Sequence, residues 1–383
     1  DKILEIIDEY SNKEIFGKER YINPILEKIE EIRNKIIKKS KDEGYLIEES
    51  YLNDKNIIKR VILKRCIYGV DLNPLAVELA KVSLWLHTFT VGAPLSFLDH
   101  HLKCGNSLIG SCLEEFYQKV LKKELWLFGS PFTGFLRAID ELKRLEKIND
   151  LDISEVEESS NIYDDVIKTV KPYKKLLDLY NLTFFYDSKD NPIVKLIDGS
   201  RGDPLDVLLE NLNLTSDEKK IIEDSLNYAK EKKFFHWKLE FPEIFYEEGK
   251  EKENGGFDIV IGNPPYIRQE KLKDIKEVFQ KLEYEVYNSS SDIYTYFYEK
   301  GYDLLRKGGV LGFITSNKWM RAKYGEKLRK LFLEKTNLKN MIDFSGLNVF
   351  ESATVDTNVT IFEKRESDFE NDVLVSNVKE DFN

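Results

Sequence analysis

A stiff turn rich in hydrogen-bond acceptors follows an apolar strand late in the chain. The strand pattern Phe257–Ile261 ends at Gly262, and Asn263-Pro264-Pro265-Tyr266 comes next. Two prolines fix the backbone and carry no amide hydrogen, so the carbonyl groups of the turn are free to accept hydrogen bonds. Asn263 adds a side-chain acceptor and Tyr266 adds a flat aromatic face. This combination suits a planar ring with an exocyclic amine, such as an adenine flipped out of a duplex. The alternative is an ordinary strand-ending turn, which an Asn-Pro pair alone would favour.

The turn offers a specific way to activate such an amine. The lone pair of the adenine N6 atom is delocalised into the ring, which makes the amine a poor nucleophile. Hydrogen bonds from its two hydrogens to Asn263 Oδ1 and to the Pro264 carbonyl would favour a tetrahedral nitrogen and stabilise the charge that develops there. Tyr266 would stack on the base and contribute about 1–3 kcal/mol. No nucleophilic cysteine or strong base is needed, and the sequence offers no obvious one.

Two further polar positions follow predicted strands. Asp71 stands at the end of the strand Ile67–Val70, and Asn106 follows the strand Leu98–Lys103. In parallel sheets, ligands bind outside the carboxyl ends of the strands, so one crevice is expected to gather Asp71, Asn106 and Asn263. A strand-terminal acid is also placed to accept hydrogen bonds from ribose hydroxyls. The alternative for Asp71 is a plain helix cap, because Asn73-Pro74 opens the next helix.

Three segments together resemble one group of enzymes. Asn263–Tyr266 resembles motif IV of S-adenosylmethionine-dependent amino-methyltransferases, chiefly the DNA adenine-N6 enzymes. Arg65–Lys81, continuing into Leu84-Trp85-Leu86, resembles the second motif of the large adenine methyltransferases of type IIG restriction-modification and phage-exclusion proteins. His101–Leu108 resembles their third motif. The resemblance implies an α/β fold, a Rossmann-like class I methyltransferase core that uses S-adenosylmethionine. It also implies N6 methylation of a flipped adenine in double-stranded DNA, as the modification part of a restriction-modification or phage-defence protein.

The resemblance also implies roles for individual residues. Asp71 would bind the cofactor ribose, and Leu72 would lie against the cofactor adenine. Asn106, with Ser107 beside it, would bind the amine of that adenine, although many relatives carry aspartate at this position. Phe350 resembles the second aromatic residue of the base pocket, and plain core packing is its alternative.

One motif of the family is missing from this sequence. The glycine-rich Asp-Pro-x-x-Gly-x-Gly turn, which approaches the methionine part of the cofactor, has no counterpart; Gly255-Gly256 and Gly308-Gly309 have neither its spacing nor its preceding strand. We therefore expect a chain truncated before this first motif, with the first strand missing. On the same interpretation, the target-recognition domain lies outside this chain, and the chain alone is expected to be inactive.

The pattern of apolar residues predicts three segments. Residues 1–110 and 254–383 would form the two parts of the methyltransferase core, and 111–253 would be a large helical insertion between the third and fourth strands. Strands that alternate with helices predict a mainly parallel sheet covered on both faces. We also expect one helical segment over residues 2–39, a well-buried helix from Leu75 to about Thr88, and a helix break at Pro172.

Composition limits the other possibilities. The 383 residues carry a net charge of -11, which argues against DNA binding by overall charge. The basic residues near the end of the chain predict a solvated helix face; they are Lys318, Arg321, Lys323, Lys327, Arg329 and Lys330. No apolar stretch is long enough to span a membrane. Three cysteines without Cys-x-x-Cys spacing indicate reduced residues in or near the core of a cytoplasmic protein, and no metal site is expected.

Two other functions remain open at this point. Enzymes that methylate RNA or a protein glutamine also use Asn-Pro-Pro-Tyr, although the long helical insertion disfavours the small glutamine enzymes. The chain could instead be a non-enzymatic scaffold module of a phage-defence complex, which the missing first motif would allow. The DNA target, the oligomeric state and any nuclease activity cannot be deduced from the sequence.

Overall fold

The computed structural model describes residues 2, 5–6, 14–15, 19–20, 23–42, 44, 46–48, 52–122, 132–186, 191–200, 202–210, 214–347, 349–350, 355–366 and 372–378. The fold is mixed α/β, which confirms the predicted class. It divides into two compact units. Unit 1 comprises residues 1–105 and 133–171, and unit 2 comprises residues 106–132 and 172–383.

The strands are β1 (Glu14–Ile15), β2 (Glu19–Arg20), β3 (Gly69–Asp71), β4 (Leu102–Cys104), β5 (Tyr246–Glu247), β6 (Lys250–Glu251), β7 (Phe257–Gly262), β8 (Leu305–Ser316), β9 (Asn337–Asp343), β10 (Thr357–Glu363) and β11 (Leu374–Asn377).

The α-helices are α1 (Pro24–Asp42), α2 (Asp54–Cys66), α3 (Pro74–His87), α4 (Leu113–Phe116), α5 (Thr133–Leu145), α6 (Ile153–Thr183), α7 (Pro192–Ile197), α8 (Pro204–Glu210), α9 (Ser216–Lys232), α10 (Trp237–Glu240), α11 (Pro242–Phe245), α12 (Lys273–Lys281), α13 (Tyr294–Leu304) and α14 (Glu326–Lys335). Short 3₁₀ turns span Gln269–Leu272, Asn317–Met320 and Lys323–Gly325, and a π-helical turn spans Tyr117–Leu121.

In unit 1, β3 and β4 pair in parallel, and helices pack around them. The helix α2 begins at the cap Asn53, whose side chain accepts a hydrogen bond from the Asn56 amide at 2.9 Å. The face of α2 that carries Leu63 packs with Val77, Leu98 and Leu102. Leu102 belongs to β4, which pairs with β3, so this packing joins the two strands to α2 and to the start of α3.

A buried ion pair joins the helices of unit 1. Lys64 on α2 pairs with Asp150, and the side chains are 3% and 0% exposed. The Asp150 carboxylate also accepts hydrogen bonds from Ser159 Oγ at 2.7 Å and from the Phe97 amide at 2.8 Å. Because these donors satisfy the buried carboxylate, the charge is tolerated inside the unit, while desolvation lowers the pKa of Lys64.

The predicted burial of the helix after Asp71 is wrong. The helix itself is confirmed as α3, but Leu75, Leu79 and Leu86 are 64%, 58% and 75% exposed. The helix is apolar on more than one side, and only the side that carries Val77 packs against the core of unit 1. The composition of α3 correctly indicated a largely apolar helix. It did not show which side of the helix would be covered by other residues.

Unit 2 contains a five-stranded sheet with the order β11-β9-β10-β8-β7. Strands β7 and β8 are parallel, with Gly262 opposite Phe313, and β11 is parallel to β9. Strand β10 runs antiparallel to both β8 and β9. The sheet is therefore mixed, and the predicted mainly parallel arrangement does not hold for it. The cause is that β10 follows β9 without a crossover helix in the described residues, so the chain returns in the opposite direction.

One face of β7 is open to solvent. Ile259 and Ile261 alternate along the strand and are 66% and 80% exposed. Within the described part of the chain, β7 pairs with β8 alone, so the strand lies at the edge of its sheet. The expectation that both faces of the sheet are covered is therefore wrong at this strand.

The helical middle of the chain differs in two details from its prediction. The helix α6 runs through Pro172 without a break, because Tyr173, Leu176 and Leu177 in the next turn are buried and offset the lost hydrogen bond. Its residues up to Lys171 belong to unit 1, and those from Pro172 belong to unit 2. The division of the sequence at residues 110 and 253 stays a prediction, since compact packing divides the chain elsewhere.

Two smaller expectations also need correction. The helical segment over residues 2–39 is interrupted, since β1 and β2 pair antiparallel and α1 begins only at Pro24. Cys66 and Cys104 are exposed and not buried in the core. Among the described residues, no helix is both long enough and apolar enough to cross a membrane.

Candidate functional site

The Asn-Pro-Pro-Tyr turn lies at the carboxyl end of β7 in unit 2, as the sequence predicts. Gly262 closes the strand, and a Cβ atom at this position would lie 3.0 Å from the Phe313 ring on β8. Asn263 and Pro265 are exposed, whereas Pro264 is buried. The Asn263 side chain makes no hydrogen bond to any described residue, so its acceptor and donor groups are available to a ligand.

Tyr266 and Phe350 lie side by side in unit 2. Their ring centroids are 5.8 Å apart, and the rings are tilted by 55°. Both side chains are half-buried, and the Tyr266 hydroxyl donates a long hydrogen bond of 3.4 Å to the Ile314 carbonyl on β8. Burial raises the pKa of Tyr266 to about 12, which keeps the phenol neutral at physiological pH. The structure thus places a second aromatic ring against Tyr266, which follows Asn263 by three residues.

The chain after Tyr266 is held by Asp292, a residue that the sequence analysis did not single out. The Gln269 amide donates to Asp292 Oδ1 at 3.1 Å, and the Ile293 amide donates to the Ile267 carbonyl at 3.1 Å. The Tyr324 hydroxyl donates to Asp292 Oδ2 at 3.2 Å. A Ser-Asp pair directly before an aromatic helix is the signal that could have identified Asp292.

Asp71 and Leu72 lie in unit 1, at the carboxyl end of β3. Asp71 is exposed; its Oδ1 accepts a hydrogen bond from the Asn73 amide at 2.7 Å, and its carbonyl accepts one from the Gly105 amide at 2.9 Å. The cap of α3 is Asn73, which accepts from the Leu75 amide at 3.0 Å. Asp71 is therefore not the helix cap, and its Oδ2 makes no hydrogen bond to any described residue. Leu72 beside it is 54% exposed.

Asn106 and Ser107 lie in unit 2 and are tied to the segment around Phe234. The Asn106 amide donates to the Lys233 carbonyl at 2.7 Å, and the Trp237 indole donates to the Ser107 carbonyl at 3.0 Å. Asn106 Oδ1 accepts a hydrogen bond from the Leu108 amide at 3.2 Å. That contact occupies part of the acceptor that the sequence analysis assigned to a ligand amine, while Asn106 Nδ2 has no partner among the described residues.

The structure therefore brings together one part of the predicted site. Within unit 2, the turn Asn263–Tyr266 adjoins Phe350 and is supported by β8 and Asp292. Asp71 and Leu72 belong to the other unit. The gathering of Asp71, Asn106 and Asn263 in one crevice stays a prediction, as do the roles of all these residues.

The sequence matches a known family over most of its length. The protein-family model that is described as "Eco57I restriction-modification methylase" matches residues 65–350 of this chain. This range contains every predicted site residue, from Asp71 to Phe350.

Curated relatives match parts of the chain. RM.MjaORFECS2P of Methanocaldococcus jannaschii is 27% identical over 345 residues, which is 82% of this chain and 27% of the relative. The type II restriction enzyme and methyltransferase RM.Eco57I of Escherichia coli is 30% identical over 34% of this chain and 13% of its own length. The type II methyltransferase M.PaeR7I of Pseudomonas aeruginosa is 37% identical over 26% of this chain and 18% of its own. The aligned part of this chain thus spans about a quarter or less of these relatives.

Proposed function

Because the chain belongs to the Eco57I restriction-modification methylase family, we propose that it methylates the N6 amine of adenine in DNA with S-adenosylmethionine as methyl donor. The observation that carries this proposal is the turn at the end of β7. Its exposed Asn263 has no partner among the described residues, and the Tyr266 ring, three residues further on, lies against Phe350. A flipped adenine needs acceptors for its amine and a flat surface for its ring.

The turn acts on the amine nitrogen. The two N6 hydrogens donate to Asn263 Oδ1 and to the Pro264 carbonyl, which draws the nitrogen toward a tetrahedral geometry and makes its lone pair available. S-adenosylmethionine, when bound, supplies a methyl group on a positively charged sulfur. The amine nitrogen would receive this methyl group as the bond from carbon to sulfur breaks, and it would then release one proton to water. Asn263 and Pro264 stabilise the positive charge on nitrogen during transfer.

The residues predicted to hold the methyl donor fit it in part. Asp71 Oδ2 is exposed and unbonded within the described chain, so it can accept a hydrogen bond from a ribose hydroxyl, and Leu72 offers exposed apolar surface to an adenine ring. Asn106 fits less simply, because the Leu108 amide already donates to its Oδ1. We propose that Asn106 contacts the adenine mainly through its free Nδ2 donor, with Ser107 beside it.

We further propose that choice of the DNA sequence depends on a target-recognition domain outside this chain. A net charge of -11 leaves little general attraction to DNA. The activity, substrate and partners of the whole protein belong to the same proposal. The aligned part of this chain spans only 27% of the Methanocaldococcus jannaschii relative.

The test is methyl transfer by the full-length polypeptide. Wild-type protein and the variant Asn263→Ala are incubated with labelled S-adenosylmethionine and unmethylated plasmid DNA, and the digested DNA is analysed for N6-methyladenine. Loss of one transition-state hydrogen bond is expected to lower the rate about 10²–10³-fold, while cofactor binding is retained. The matched control is Asn254→Ala, because Asn254 lies before the other end of β7 and its side chain bonds to Lys307 alone among the described residues.

Two results would contradict the proposal. Activity of Asn263→Ala above about a tenth of wild type would remove Asn263 from the role proposed for it. RNA and a protein mixture are supplied in parallel reactions; label in RNA or in a protein glutamine, with none in DNA, would assign the turn to a different substrate. Absence of transfer to any of these by the wild type would favour the scaffold module.

A further inference from the structure

A basic loop follows β8 at the same edge of the sheet as the Asn-Pro-Pro-Tyr turn. We define this loop as Asn317–Gly325; it contains Lys318, Arg321 and Lys323 and no acidic residue. All three cations are exposed, and none has a hydrogen bond or ion pair with any described residue. The sequence analysis grouped them with Lys327, Arg329 and Lys330 as one solvated helix face.

The structure separates these two sets of cations. The Lys327 ammonium donates to the Tyr287 carbonyl at 2.8 Å, and Lys330 lies 3.9 Å from Glu334. Arg329 donates to the Ala322 carbonyl at 3.0 Å and also contacts the Trp319 carbonyl. These three residues have structural partners within the chain, whereas the three cations of the basic loop have none among the described residues.

The basic loop is fixed in shape despite its exposed cations. Trp319 is 3% exposed, and its indole donates to Asn358 Oδ1 at 3.3 Å. Gly325 packs so closely that a Cβ atom would lie 2.0 Å from the Trp319 carbonyl oxygen. The Ala322 amide donates to the Lys318 carbonyl at 2.8 Å. These contacts order the backbone that carries the cations, so less backbone freedom is lost when an anion binds.

The basic loop is also connected to the segment that follows the base-binding turn. Tyr324 in the loop donates to Asp292, and Asp292 accepts from Gln269, three residues after Tyr266. Tyr266 itself reaches Ile314 on β8, four residues before Lys318. At about 3.3 Å per residue, the Cα atoms of Ile314 and Lys318 are at most about 13 Å apart. Lys318 thus lies near Tyr266, and Arg321 and Lys323 follow it in the same loop.

We propose that Lys318, Arg321 and Lys323 bind backbone phosphates of the DNA strand that carries the target adenine. The inference rests on the proposed function, since a flipped adenine in the turn brings its flanking phosphates to this edge of the sheet. Exposed lysine and arginine side chains without competing carboxylates suit phosphate oxygens. The acid that follows the loop, Glu326, begins α14, where the helix dipole favours a negative charge. Because the total charge of the sequence is negative, contact between this part of the protein and DNA phosphates would depend on such a local cluster.

The experiment measures how DNA affinity depends on salt in the full-length polypeptide. The test variant is Lys318→Gln, Arg321→Gln and Lys323→Gln combined, and the probe is a 30-base-pair duplex of mixed sequence. Each lost phosphate contact lowers the slope of log affinity against log salt by about 0.9, so three contacts lower it by about 2–3. The matched control is Lys219→Gln, Lys220→Gln and Lys230→Gln combined, which removes the same charge from exposed positions of α9.

The outcomes separate this inference from the proposed function. The phosphate contacts would be supported by a smaller slope in the test variant and an unchanged slope in the control. The wild-type slope should also be recovered when charge is kept, in the combined variant Lys318→Arg, Arg321→Lys and Lys323→Arg. The phosphate contacts would be overturned by an unchanged slope in the test variant or by an equal decrease of the slope in the control. They would also be overturned if the wild type bound no DNA. Methylation of plasmid DNA by the wild type is measured in parallel, so the function can stand when the phosphate contacts fail. A smaller slope in the test variant, together with no methylation by the wild type, would support the phosphate contacts and contradict the proposed methylation.

Discussion

At the scale of the residue, the ring of Tyr266 is expected to matter more than its hydroxyl. Among the described residues, the hydroxyl makes a single long hydrogen bond, to the Ile314 carbonyl, while the ring lies against Phe350. Stacking on a base contributes about 1–3 kcal/mol and needs only an aromatic face. The pair of rings was anticipated from sequence, because both positions fit a family pattern, but their contact depends on a tertiary arrangement that no local pattern encodes.

We predict that Tyr266→Ala weakens capture of the flipped base about 5- to 150-fold, whereas Tyr266→Phe and Tyr266→Trp retain most of it. The measurement is fluorescence of 2-aminopurine at the target position, which rises when that base leaves the stack. Tyr228→Ala, on the exposed side of α9, serves as the control. Equal losses in the Phe and Ala variants would show that the hydroxyl, through its bond to β8, is the important group.

At the scale of the element, the sequence located the strands and helices that carry strong local signals, but not their surroundings. The strand that ends at Gly262 and the helix that starts at Pro74 carry local signals, namely an apolar run before a turn and an Asn-Pro cap. The direction of β10, the continuity of α6 through Pro172 and the exposure of α3 depend on contacts with distant parts of the chain. The role of Asp292 could not be predicted from local sequence either, because its partners Gln269 and Tyr324 lie far from it in the chain.

The helix α13 carries a buried acid that should make stability depend on pH. Glu299 is 7% exposed and accepts hydrogen bonds from the Glu285 and Val286 amides, each at 2.8 Å. Burial raises its pKa from 4.5 to about 7, although both amides act in the opposite direction. Between these two pH values the folded chain holds a proton that the unfolded chain releases. The contribution of Glu299 is therefore complete below about pH 4.5 and is lost as the pH rises through 7.

We predict that the free energy of unfolding of the wild type, relative to Glu299→Gln, falls by at most about 3 kcal/mol from pH 4.5 to pH 7 and is constant above pH 8. Glutamine can accept only one of the two amide bonds, so the variant is also less stable by an amount that does not vary with pH. Denaturant unfolding at several pH values measures the difference. The exposed Glu334→Gln should show no such trend, and parallel pH curves for wild type and Glu299→Gln would refute the assignment.

At the scale of the whole molecule, each unit has an uncovered apolar face. In unit 1 this face is the side of α3 that carries Leu75, Leu79 and Leu86, and in unit 2 it is the side of β7 that carries Ile259 and Ile261. Contiguous exposed apolar surface favours association, and an unpaired strand edge adds to this tendency. The family match covers these elements but does not explain their exposure, which became visible only in the folded chain.

We predict that the 383-residue chain binds an apolar fluorescent dye and self-associates at micromolar concentration. Replacement of Leu79 and Leu86 by lysine should reduce both effects, because the charged side chains interrupt the stripe on α3. Sedimentation velocity and dye fluorescence provide the measurements. The control is Leu46→Lys, since Leu46 is 84% exposed and lies outside both faces. A monomeric wild type that binds no dye would show that these faces are not adhesive.

The two consecutive prolines also determine how the turn can be observed in solution. Pro264 and Pro265 have no amide proton, so hydrogen exchange and amide-detected NMR give no signal from the centre of the turn. The side-chain NH₂ group of Asn263, which is exposed and has no partner among the described residues, supplies a resonance pair at the same place. Selective ¹⁵N labelling of asparagine would therefore allow base binding to be followed directly, with the Tyr266 amide as the nearest backbone signal downstream.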